Sequence, residues 1–132
     1  MKLLRIGEKN REKPAILDNE GKIRDLSGHI NDLDCNNLNF KTIEKIKKID
    51  TSSLQEISSS ERVGACISSP GKFVAIGLNY SDHASETGAP PPTEPIIFMK
   101  ATSSICGPND DIEIVEGSKK LDWEVELGIV IG

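Results

Sequence analysis

Residues 121–132, LDWEVELGIVIG, alternate with the period of a β-strand. Trp123, Val125, Leu127, Ile129 and Ile131 fall on one side, and Asp122, Glu124, Glu126, Gly128, Val130 and Gly132 on the other. A helix would scatter both sets around its circumference, so the segment is expected to be extended, with one wholly apolar face. The other face begins with three acids and then turns small or apolar. Such a strand is expected to enter a core with carboxylates at its mouth, where a buried charge is costly unless compensated. Same-face neighbours lie about 6.6–7 Å apart along a strand, close enough for Glu124 and Glu126 to lean onto one cation. Oxygen-only donors suit Mg²⁺, Mn²⁺ or Ca²⁺ better than zinc, which favours His and Cys. A solvated strand face with alternating acids would show the same pattern, and exposed carboxylates are the commoner arrangement.

The rest of the chain predicts a β-rich α+β protein. KLLRI and PAILDNEGKIRDL read as short strands of a small meander, with Asp18-Asn19-Glu20-Gly21 as a hairpin turn. NFKTIEKIKKID places Phe40, Ile43, Ile46 and Ile49 at helical spacing between Lys and Glu, which predicts one amphipathic helix. The Ser-rich TSSLQEISSSERVGACISSPGK reads as a linker, dividing the chain into an N-terminal subdomain, 1–65, and a second region, 66–132. Beyond it, KFVAIG predicts a strand and LNYSDHASETG a short helix, with Asn79 or Ser81 as N-cap and Gly88 as the stop. APPPTEP must be extended, IIFMKATSSI resumes as a strand, and Gly107-Pro108-Asn109-Asp110 turns into another. Gly71 and Gly77 are expected to permit tight turns.

Charge and cysteine content narrow the function classes. At 132 residues, 36% hydrophobic, 28% charged and net −5, the chain lacks the clustered Lys and Arg of a nucleic-acid or anionic-membrane partner. A small soluble substrate fits better. The N-terminus has too short an apolar run for a signal peptide, and no segment approaches the roughly 18 apolar residues of a membrane span, so the expectation is a cytoplasmic protein. Cys35, Cys66 and Cys106 form no CxxC pair and are expected to be reduced and partly buried.

Within NYSDHASE, His83 and Glu86 are three residues apart and share one side of a short helix. A carboxylate beside an imidazole orients the ring and favours proton uptake, as a water-activating base requires; an incidental histidine on an exposed helix is the plainer alternative. Tyr80 could hold a substrate oxygen or simply pack. Lys100 could pair with a substrate carboxylate or extend into solvent from the strand's end. His29 reads as a loop residue.

Taken together, GKFVAIGLNYSDHASETGAPPPTEPIIFMKATSSICGPND followed by LDWEVELGIVIG resembles the fumarylacetoacetate hydrolase superfamily. Its pattern is a strand leading to G-x-N-Y-x-x-H-x-x-E, a proline segment, an F-x-K strand, a G-P turn and an acidic E-x-E strand. The resemblance covers residues 71–132 and is strongest toward bacterial members called ureidoglycolate lyase or diketo-sugar-acid hydrolase, whose small N-terminal domain REKPAILDNEGKIRDLSG resembles. It implies the first part of a mixed β-roll catalytic domain, with Glu124 and Glu126 as ligands of Mg²⁺ or Mn²⁺ and Asp122 as a weaker candidate. His83 and Glu86 would be a water-activating dyad on a lid helix, and Tyr80 and Lys100 substrate contacts. The implied reaction is hydrolytic carbon–carbon cleavage of a 2,4-diketo acid, with lyase or decarboxylase chemistry on a related oxo-acid as the alternative. The family commonly forms dimers, which implies a homodimer of the full domain. Its third carboxylate ligand is expected downstream of Gly132, so the chain is expected to hold part of a site, or to act as a non-catalytic interaction module.

Overall fold

Short aliphatic runs punctuated by Asp, Asn and Gly give short strands joined by side-chain-stabilised turns, and the computed structural model describes every residue from Met1 to Gly132. β1 (Lys2–Ile6), β2 (Lys13–Leu17), β3 (Ile23–Asp25) and β4 (Glu56–Ile57) form one antiparallel sheet in the order β1-β2-β3-β4. The β2–β3 hairpin turns where expected. The Asp18 carboxylate accepts the backbone N–H groups of Glu20 and Lys22, each at 2.9 Å, and Gly21 takes φ +79°. The Arg24 Nε donates to the other Asp18 oxygen at 2.8 Å, and that hydrogen bond holds the Asp18 carboxyl below its ordinary range.

Strand alternation sends successive β2 residues into two separate apolar clusters. Ala15 packs with Ile6 and Ile23, joined by Leu4, Leu17, Ile57 and Val63. Ile16, on the other face, packs with Leu26, Ile30, Leu33 and Ile46. α1 (Phe40–Ile46) helps cover this second face, with Asn39 as N-cap accepting the Thr42 N–H at 3.0 Å. Its apolar stripe is narrower than the periodicity suggests, because Ile46 is buried while Phe40 at the first turn is 93% exposed. The Asn/Asp-rich stretch before it is ordered by its own side chains: Asp34 accepts from the N–H groups of Asn36 and Asn37, both at 3.0 Å.

Two expectations for this region are corrected. The Ser-rich segment is not simply a linker. It supplies β4, and Val63 bridges Ile6, with the Gly7 N–H bonded to the Arg62 carbonyl at 2.9 Å and the Gly64 N–H to the Arg5 carbonyl at 2.8 Å. Backbone pairing needs no apolar side chains, so serine content conceals it. Cys35, Cys66 and Cys106 are free but exposed, since they lie in turns and connections rather than in the apolar clusters.

The chain divides into two compact units, Met1–Ser68 with Cys106–Gly132, and Ser69–Ile105. In the second, β5 (Val74–Gly77) pairs antiparallel with β6 (Ile96–Met99), with α2 (Ser81–Glu86) and the proline segment between them. Two sheets and two short helices make this an α+β arrangement. No helix is long and apolar enough to cross a membrane.

The strands expected after the Gly107–Asp110 turn and over 121–132 do not form; residues 111–132 contain no strand and are all exposed. Their alternation is real, with Trp123 82% exposed and Leu127 equally so. A strand, however, is completed by a neighbouring backbone, and none of β1–β6 pairs with this segment.

Candidate active site

The sequence places its chemistry around α2, and the backbone there is bent by a leucine. Leu78 takes φ +48° directly after β5, a conformation that costs an L-residue with a side chain roughly 1 kcal/mol or more. Gly77, expected to take this turn, instead lies against β6. A Cβ there would come within 3.3 Å of Ile96 Cγ2, so its small size serves a close approach. Gly71 has no positive φ and open space around it, so no tight turn depends on it.

α2 begins at Tyr80 as N-cap, which makes no side-chain cap bond, rather than at Asn79 or Ser81. Its end follows the expected chemistry. Gly88 takes φ +69°, its N–H bonds the Ser85 carbonyl at 3.1 Å, and the Ala89 N–H bonds the Ala84 carbonyl at 3.0 Å, a complete Schellman closure. His83 and Glu86 sit on this helix, exposed, with no hydrogen bond between their side chains. Only Ala84 is buried. A shallow concavity lined by Ile76, Gly77, Leu78, Ser81, Ala84 and Pro95 lies beside the helix, and neither His83 nor Glu86 lines it. Tyr80 is 44% exposed, and Lys100 follows β6, its backbone N–H donating to the Phe73 carbonyl at 2.9 Å.

Glu124 and Glu126 are exposed on the 111–132 segment, which joins neither sheet. Asp122 accepts the N–H of Trp123 at 2.9 Å, a local bond. No group of three or more His, Cys, Asp or Glu residues is gathered as a metal site. The Glu pair nevertheless fits a hard divalent ion in donor type, because Mg²⁺ is commonly held by one or two carboxylates, with water and substrate filling its other positions.

A second charged cluster went unread in the sequence. Arg62 grips Asp110 through Nε and Nη2, both at 2.6 Å, and its Nη1 donates to Glu12 at 2.8 Å and to the Gly7 carbonyl at 3.1 Å. Arg5, buried beside it, pairs with Asp32 at 2.7 and 3.0 Å and reaches Glu12 at 3.4 Å. Hydrogen bonds from Arg62 and the Gly107 N–H hold the Asp110 carboxyl down at about 2. Burial pushes Glu12 upward, but the hydrogen bond from Arg62, a backbone N–H and the charges of Arg5 and Arg62 together more than offset it, leaving its carboxyl below the ordinary range. A Cβ on Gly107 would collide with the Val63 carbonyl, so glycine is required where the turn meets the sheet. The network thus anchors the G-P turn from which residues 111–132 depart. Its one sequence signal was Arg62, the single arginine of the serine-rich stretch 51–72.

Comparison with known proteins places the chemistry-bearing residues in one recognised segment. Residues 72–132 match the family described as fumarylacetoacetate (FAA) hydrolase C-terminal. Proteins from Burkholderia ambifaria and Burkholderia lata, each named a "putative hydrolase", are 55% identical over 132 residues, covering 100% of this chain and 47% of the relative. A protein of similar name from Burkholderia multivorans is 54% identical over the same span. The chain therefore spans about half the length, 47%, of the curated relatives it matches.

Proposed function

We propose that the chain is part of a metal-dependent hydrolase of the fumarylacetoacetate hydrolase superfamily that cleaves a carbon–carbon bond in a 2,4-diketo acid of acylpyruvate type. The observation that supports this reading is that one segment, 72–132, matches the family and contains His83, Glu86, Lys100, Glu124 and Glu126, the residues to which the resemblance assigns the chemistry. On this reading residues 66–132 begin a mixed β-roll, and residues 1–65 are an accessory subdomain in a cytoplasmic enzyme that is homodimeric when the full domain is present.

Glu124 and Glu126 would hold Mg²⁺ or Mn²⁺, with Ca²⁺ as a weaker substitute. The ion would supply Lewis-acid polarisation of the 2-oxo-carboxylate end of the substrate. Lys100 places its ammonium against the substrate carboxylate, and the Tyr80 hydroxyl donates to a substrate oxygen. His83 takes a proton from water at an imidazole nitrogen, and Glu86 steadies the resulting imidazolium. The two side chains are not hydrogen-bonded to each other in the structure, and on this reading substrate binding draws them together, as catalytic hydrogen bonds commonly tighten in the complex. The hydroxide adds to the distal carbonyl carbon, the bond from that carbon to the adjacent CH₂ breaks, and the leaving fragment departs as an enolate. Proton return gives a carboxylic acid and a 2-oxo acid. A lyase or decarboxylase on a related oxo-acid would use the same binding groups without the water attack.

Mn²⁺ titration followed by electron paramagnetic resonance tests the metal arm on the full chain. Weak saturable binding by the wild type, lost in the Glu124→Ala, Glu126→Ala variant, is expected; identical titrations would remove the ion from the proposal. The second reading, a non-catalytic interaction module, is favoured by the exposed apolar residues of 121–131 and predicts identical titrations and no acylpyruvate turnover.

A further inference from the structure

A cavity of about 570 Å³ lies against the sheet of β1–β4, outside the family-matched residues 72–132. That volume is in the range that takes a small organic molecule. Strand register explains its lining. Ile6 faces Lys13, Ala15 faces Asp25 and Ile23 faces Ile57 across neighbouring strands, which puts all six side chains on one face of the sheet. The apolar members join one cluster, and Ile6 and Ile57 form the floor of the cavity beside Lys13 and Asp25. Residues 58–62 lead from β4 to the opposite edge of the sheet, where Val63 bridges Ile6, and they bring Glu61 to the same cavity.

Most charges around the cavity compensate one another. Glu8 pairs with Arg11 at 3.2 Å, and Glu56 reaches Lys22 at 3.7 Å and Arg24 at 3.6 Å. Asp25 accepts the Ser27 N–H at 2.7 Å and feels the charge of Lys13 without forming an ion pair with it. Lys13 and Glu61 form no ion pair at all, and the Gln55 side chain makes no hydrogen bond. Lys13 is on β2 and Glu61 leads into the residues bridged to β1, so their backbones are roughly 10 Å apart, two strand spacings. Two long side chains at that separation can converge on one small molecule. A ligand with only a negative charge would meet Asp25 and Glu61, and one with only a positive charge would meet Lys13. We propose that this cavity binds an α-amino acid with an apolar side chain, its carboxylate on Lys13, its ammonium on Glu61 and its side chain on Ile6 and Ile57. None of these residues takes part in the proposed reaction, so the site is independent of that reading.

Amide chemical-shift mapping of the full chain with L-leucine tests it, alongside isopentylamine, which lacks the carboxylate, and isocaproate, which lacks the ammonium. Leucine should give saturable shifts at residues 6–13 and 55–61, with a dissociation constant of about a millimolar, as expected of a small ligand at an open site. Lys13 and Glu61 are both exposed, so Lys13→Gln and Glu61→Gln should leave the fold intact. Each should weaken leucine binding about threefold or more, the scale of a solvent-exposed ion pair. The two singly charged probes should each bind wild type about threefold more weakly than leucine, or not at all. Absence of leucine-dependent shifts at these residues overturns the site. Binding of isopentylamine or isocaproate as tight as that of leucine overturns the requirement for both charges, and an unchanged leucine affinity in either variant overturns the contact assigned to that residue and with it the proposal.

Discussion

The sheet of β1–β4 and the segment 111–132 belong to the same compact unit, yet they are held by different means. In the sheet, β2 is buried on both faces and buried Arg5 and Glu12 are paired. In 111–132 every residue is exposed, although ten of the 22 are apolar. Hydrophobicity alone therefore does not decide burial; available partners do. The apolar clusters that stabilise the sheet are built from the chain's own residues, and the candidate site residues lie outside them.

The largest expected effect comes from removing a side chain the sheet cannot replace. Leu26 is fully buried, at 0% exposure, between Ile16, Ile30, Leu33 and Ile46. Leu26→Ala should destabilise the sheet by about 2–5 kcal/mol, combining lost transfer free energy with a residual cavity. Urea unfolding followed by far-ultraviolet circular dichroism measures it. A loss below about 1 kcal/mol would mean that the core collapses around the gap or that this region is not the stable one.

The next effect tests the join between the two regions. The Asp110 carboxyl has an ordinary value of 3.8 and is held down at about 2 by Arg62 and the Gly107 N–H. A depressed folded-state value means that its contribution is fully present above about pH 4 and fades as pH falls toward 2. Asp110→Asn should therefore be less stable than wild type at pH 7, with the difference shrinking through that window as Asp110 protonates. Parallel stability curves for the two proteins down to pH 2 would show that the Arg62 clamp does not hold the turn in solution.

Local signals in the sequence were legible, and partner-dependent ones were not. Asp18 and Gly21 make their turn through their own side chain and backbone, and Asn39 caps α1 with its own amide oxygen, so composition sufficed. β4 and Val63 were hidden because their pairing depends on strands more than thirty residues away. Leu78 was unreadable for another reason: no local rule puts a leucine at positive φ. The site residues were nameable by motif, but their mutual geometry was not. His83 and Glu86 share a helix without bonding to each other, and no third metal-ligating side chain is gathered beside Glu124 and Glu126.

The smallest expected effect repeats the first substitution at the other end of the molecule. Leu127 sits in an alternating apolar run that reads as core, but it is 82% exposed where Leu26 is 0%. In the isolated chain Leu127→Ala should change stability by no more than about 0.5 kcal/mol, the range for surface positions. Hydrophobic stabilisation follows the area removed from water, and this side chain has removed little. A loss approaching that of Leu26→Ala in the same urea experiment would mean that 121–131 is packed in solution, erasing the distinction between the regions. A null result sharpens it: the same leucine-to-alanine change would be costly in the sheet and silent in the segment that carries Glu124 and Glu126.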